Sequence, residues 1–90
     1  MITPDQIDRW RTAPTEHARL EFKEAKASFS LDKLYEYCVA FANEGGGHLV
    51  LGVADRPPRT VVGSSAFPSP AKTVEHVFAK IGLHVEIEAV

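Results

Sequence analysis

The sequence holds a single cysteine, Cys38, which excludes an internal disulfide and any cysteine-rich zinc site. No apolar run is long enough to cross a membrane, and Met1 leads straight into polar residues rather than into a signal peptide. These absences predict a cytoplasmic protein without a membrane partner. A basic excess is also missing: ten Lys and Arg face twelve Asp and Glu, for a net charge of −2. Bulk electrostatics therefore do not mark the chain as a nucleic-acid binder, and any phosphate contact has to come from a few placed residues. The histidines, His17, His48, His76 and His84, lack metal spacing such as HExxH. Ser64 and Ser65 have no identifiable base partner that would support a hydrolase.

What is present is one domain's worth of chain, ninety residues with a modest core. "TPDQIDRWR" reads as a short N-terminal helix within residues 1–12. Thr3 is its N-cap, Pro4 its first residue, Gln6 completes a capping box, and Ile7 and Trp10 share a face. "ARLEFKEAK" alternates, with Leu20 and Phe22 on one side and Glu21 and Lys23 on the other, as a half-buried strand does. A second helix starts at Ser30, with Phe29 and Leu34 spaced for a hydrophobic staple. Its core stripe is Leu34, Tyr37, Cys38 and Phe41, with Cys38 a small buried thiol, and Asn43 to Gly47 end it.

"HLVLGV" predicts a central strand buried on both faces, and residues 49–53 and 60–62 predict a hairpin across a proline-containing loop. The third helix is capped by Ser69, opened by Pro70 and stopped by Gly82, with Val74, Val77, Phe78 and Ile81 as its stripe. "LHVEIEAV" alternates again, placing Val85, Ile87 and Ala89 on one face. It runs on without a turn signal, which predicts a piece of a longer protein in which another strand follows. The class is α+β: a mixed sheet with two main helices and a short N-terminal helix.

The glycines Gly45, Gly46 and Gly47 follow a helix and precede a strand. A phosphate-cradling loop has the reverse order and a Lys-Ser/Thr pair, so these glycines predict a tight structural turn that lets backbones approach. Glu16 and Glu21 bracket the first strand's start, and Asp55 lies just past the buried strand. If the two strands are neighbours, the three acids converge and hold a hard divalent cation, magnesium or manganese. Otherwise they are solvated charges, with Glu21 and Lys23 flanking each other on an exposed face. The candidate phosphate contacts are Arg19, Lys23, Lys26 and Arg56, partly cancelled by Glu24 and Asp32. His48, beside the glycines, either touches a ligand or is a surface or core histidine.

Three pieces in order, "EHARLEFKEA", "AFANEGGGHLVLGVAD" and "TVVG", resemble the Schlafen AlbA-type domain, the divergent Alba-like module of many bacterial regulators. The resemblance covers residues 13–90 and departs at Ala54, where the family often has an acid or polar residue. In bacterial members it implies DNA binding and a following C-terminal domain. In the vertebrate Schlafen branch it implies a three-carboxylate, metal-dependent RNA-cleaving site, with Glu16, Glu21 and Asp55 at the matching positions. The leading expectation is a DNA-binding module of a bacterial transcriptional regulator, with DNA favoured over RNA. The alternatives are an endoribonuclease-like, metal-dependent enzyme and an interaction domain that forms homo-oligomers through its last strand.

Overall fold

Three helices and two short strands follow one another as α1 (Pro4–Thr12), β1 (Leu20–Lys23), α2 (Leu31–Asn43), β2 (His48–Leu51) and α3 (Pro70–Ile81) in the computed structural model, which describes residues 2–12, 19–56 and 58–90. The class is α+β, as the sequence predicts. Thr3 opens α1, its hydroxyl accepting the Gln6 N–H at 3.2 Å. The Gln6 side chain turns forward to Arg9 instead of closing the capping box. Ser30 caps α2 by accepting the Lys33 N–H at 3.4 Å.

β1 and β2 are parallel, in the register Leu20↔His48, Glu21↔Leu49, Phe22↔Val50, Lys23↔Leu51. Parallel neighbours need a long crossover, and α2 supplies it. Alternation then sorts β1 by face. Leu20 and Phe22 are buried and form a core with Val53, against which Ile7 and Trp10 of α1 and Val50 of β2 pack. Glu21 and Lys23 occupy the other face, half-buried. Fully burying Phe22 is worth about 1.5–3 kcal/mol, so this small cluster is the main apolar anchor of the sheet.

Gly52 turns the chain after β2. Its N–H donates to the carbonyls of Lys23 (2.8 Å) and Glu24 (2.9 Å), and its carbonyl accepts from Val62 (2.7 Å) and Gly63 (3.0 Å). With φ at +90° and a would-be Cβ only 2.7 Å from the Gly63 carbonyl carbon, no other residue fits without a backbone shift. The predicted hairpin is present in reduced form, as one antiparallel bridge, Val53↔Val61, with the Ala54 N–H donating to Thr60 O. Ser64 and Ser65 donate their hydroxyls to the carbonyls of Ala25 (2.5 Å) and Lys26 (3.1 Å), tying this segment to the loop after β1.

Four expectations need correction. β2 is not buried on both faces: His48 is exposed and Leu49 to Leu51 are half-buried, because among the described residues the sheet has only two strands. Ser69 makes no side-chain cap; its carbonyl accepts the Thr73 N–H instead. The buried face of α3 centres on Thr73 and Val77, while Phe78 is 48% exposed and stacks on His84 with ring centroids 4.4 Å apart. Residues 83–90 keep the alternation, with Leu83, Val85 and Ile87 half-buried, but Ala89 is exposed and no strand among the described residues pairs with the segment. A strand exists only where another backbone takes its hydrogen bonds.

Candidate nucleic-acid interface

The parallel sheet has two ends with different chemistry. At the end where both strands begin, α2 terminates and the chain passes through Gly45, Gly46 and Gly47 into β2. The N–H groups of Gly45 and Gly46 satisfy the last α2 carbonyls, those of Ala42 and Phe41, at 3.2 and 2.7 Å. Gly47 is the point of close approach: a Cβ there would lie 2.5 Å from the Phe41 ring and 2.8 Å from the Arg19 carbonyl oxygen. That carbonyl accepts the His48 N–H at 2.8 Å and so starts the ladder.

Arg19 itself is exposed, and its guanidinium lies over Gly45, with Nη2 3.7 Å from where a Cβ would be. His48, also exposed, rests its imidazole against Trp10 of α1, ring centroids 4.6 Å apart and tilted by 35°. A cation, two rings and a stretch of bare backbone therefore share this end. Arg19 makes no ion pair among the described residues.

At the opposite end the charges compensate one another. The Lys23 ammonium stands 3.7 Å from Glu21 Oε1 and 3.9 Å from Asp55 Oδ2. The Tyr37 hydroxyl of α2 is close enough to Lys23 to favour its charged form. Partial desolvation pulls the Lys23 pKa down, but Tyr37 and the two carboxylates outweigh it, and the net shift is upward. Cys38 is half-buried rather than buried, and the burial it has pushes its thiol up, which disfavours the thiolate a nucleophile needs. Arg56 and Lys26 are exposed near this end, and neither makes an ion pair among the described residues.

The structure thus divides the residues singled out in the sequence. Glu21 and Asp55 converge on Lys23, whereas Arg19 sits at the far end of β1, about 13 Å away at roughly 3.3 Å per residue. Glu16 and His17 lie outside the described residues. Two converging carboxylates suit the oxygen preference of a hard divalent cation, yet the Lys23 ammonium already stands between them. Among the described residues no group of three His, Cys, Asp or Glu side chains is arranged to hold a metal. Two open concavities on the α2–α3 side, lined by residues that include Leu31, Tyr35, Val39 and Ala79, contain none of these residues.

One residue escaped the sequence reading. Arg59 is buried, with its guanidinium carbon 5.2 Å from the centre of the Phe22 ring and Nη1 donating to the Arg11 carbonyl at 3.3 Å. It ties the end of α1 to the loop after β2. Nothing in "RPPRT" separates it from an exposed arginine, because its burial comes from packing against α1 and Phe22, segments distant in sequence.

Residues 16–89 match the family described as Schlafen, AlbA_2, and the chain belongs to that family. Membership marks it as a nucleic-acid-related domain. No curated protein and no solved structure matches the chain. Among the described residues no helix is long and apolar enough to cross a membrane.

Proposed function

We propose that this member of the Schlafen AlbA_2 family is a nucleic-acid-binding module, that DNA is its preferred ligand, and that it serves a transcriptional regulator. Family membership over residues 16–89 is the observation that carries this reading. The exposed cations Arg19, Lys26 and Arg56 supply phosphate contacts, and Lys23 contributes less because Glu21 and Asp55 absorb its charge.

With so few cations, affinity is modest and falls with salt at a log–log slope of about −0.9 for each phosphate neutralised on duplex DNA. The test mixes the chain with labelled duplex DNA and with a structured RNA, each with and without manganese. The expected result is a salt-sensitive shift of the DNA without cleavage. Absence of a shift with either nucleic acid at low salt would overturn the reading.

A second reading is favoured by one observation, the convergence of Glu21 and Asp55 on a single cationic centre. In it Glu16, Glu21 and Asp55 hold a magnesium or manganese ion, which when bound would offset charge on a scissile phosphate. Metal-dependent cleavage in the same gel, abolished in Glu21→Gln, is the outcome this reading requires. Cleavage that survives Glu21→Gln unchanged would sink it.

A further inference from the structure

We infer that the end of the sheet carrying Arg19, His48 and Trp10 takes an unpaired nucleobase, so that the chain binds single-stranded nucleic acid in preference to duplex. The inference rests on the nucleic-acid reading above and narrows it to a ligand class and a place.

The physical ground is a comparison of what each ligand can gain here. A duplex offers phosphates, because its base faces are stacked inside. Against it the site sets Arg19, whose guanidinium lies beside Gly45 at the negative end of α2, about half an elementary charge. On α1 beside Trp10, Arg11 is held by Asp8 at 2.9 Å, and Arg9 is hydrogen-bonded to Gln6 at 3.1 Å. This end therefore offers a phosphate a small number of cations, Arg19 and Arg9 among them.

A single strand offers base faces as well, and the site has a ring ready for one. The His48 imidazole is exposed, backed on one side by Trp10 at 4.6 Å, and held at its backbone by the hydrogen bond to Arg19 O. A base laid on the free side of His48 extends this stack. Arg19, diagonal to His48 in the register, lies over Gly45 at the same end of the sheet, where a strand that leaves the ring can bring a phosphate to it. Gly46, with nothing within 4 Å of the Cβ it lacks, leaves room for the strand to pass. Stacking on aromatic platforms is sequence-tolerant, because every base has a π-face.

Trp10 is the only tryptophan, so its emission reports on this stack directly. The chain is titrated at low salt with a short oligothymidylate, and with the same strand annealed to its complement, while Trp10 fluorescence and the anisotropy of a label on the DNA are followed. The single strand is expected to bind more tightly and to change Trp10 emission. His48→Ala should weaken single-strand binding about tenfold, within the range for losing one base stack, and His48→Phe, which keeps a π-face, should restore most of it. Far-UV circular dichroism of both variants confirms that the fold is retained. Equal binding of single strand and duplex with no change in Trp10 emission would overturn this inference and leave the nucleic-acid reading standing. Binding of neither would overturn both.

Discussion

The two ends of the sheet carry cations of the same formal charge that are not equally available. Lys23, at the end where the strands finish, stands between Glu21 and Asp55 and is steadied by Tyr37. Arg19, where they begin, makes no ion pair among the described residues and lies over the bare Gly45 backbone at the end of α2. Counting lysines and arginines in a chain of net charge −2 would weigh the two alike. What separates them is the same-strand neighbour Glu21 and the Asp55 that follows β2, and a phosphate responds to that difference rather than to the count.

The comparison can be broken most completely from below, because both ends stand on the same apolar floor. Phe22→Ala empties a fully buried site and takes the ring from under Arg59, and should cost about 3–5 kcal/mol. For a small domain that is most of its stability, so urea denaturation should find the variant largely unfolded and both ends lost.

Gly47→Ala attacks one end only. The new methyl group meets the Phe41 ring and the Arg19 carbonyl, and about 1–3 kcal/mol of overpacking is expected. The variant should remain folded in urea titration with a lowered midpoint, and its Trp10 emission should shift as the stack with His48 moves.

Lys23→Met sharpens the other end. The folded-state pKa of Lys23 is raised, so the stability it contributes is fully present below its ordinary value near 10.5 and is lost as pH rises through the higher folded value. The difference in stability between the parent chain and the variant should therefore be flat from neutral pH up to about pH 10, where both carboxylates are ionised, and shrink above it. Its size should be about 0.2–1 kcal/mol, as for other solvent-screened pairs, and urea midpoints measured along a pH series would check it.

Much of this architecture could be read from the residues, and the failures have physical causes. α2 was legible because Ser30 caps it and Leu34 anchors a helical stripe, and β1 because Leu20 and Phe22 alternate with Glu21 and Lys23. The face of α3 was misjudged by part of a turn. Thr73 is buried through its methyl group and satisfied at its hydroxyl by Ser69 O, which a hydrophobic pattern does not register. Residues 83–90 carry a strand's alternation, but pairing is a property of two segments and cannot be read from one.

The candidate interface was legible in pieces. The glycine turn, Arg19 and His48 were each visible, and Trp10 read only as the partner of Ile7 on a core-facing helix stripe. Their juxtaposition depends on α1 packing across the Leu20–Phe22 face, a contact between segments 38 residues apart at Trp10 and His48. The flanking of Lys23 by Glu21 was visible in β1, whereas the approach of Asp55 to Lys23 depends on the turn at Gly52.

The most direct test of the difference between the ends is the salt dependence of nucleic-acid binding by the parent chain, Arg19→Ala and Lys23→Ala, measured by anisotropy over one salt series. Arg19→Ala should weaken binding at low salt and reduce the log–log slope by about one, the loss of one phosphate contact, while Lys23→Ala should change both by clearly less. Equal losses in the two variants, or a larger loss in Lys23→Ala, would contradict the account.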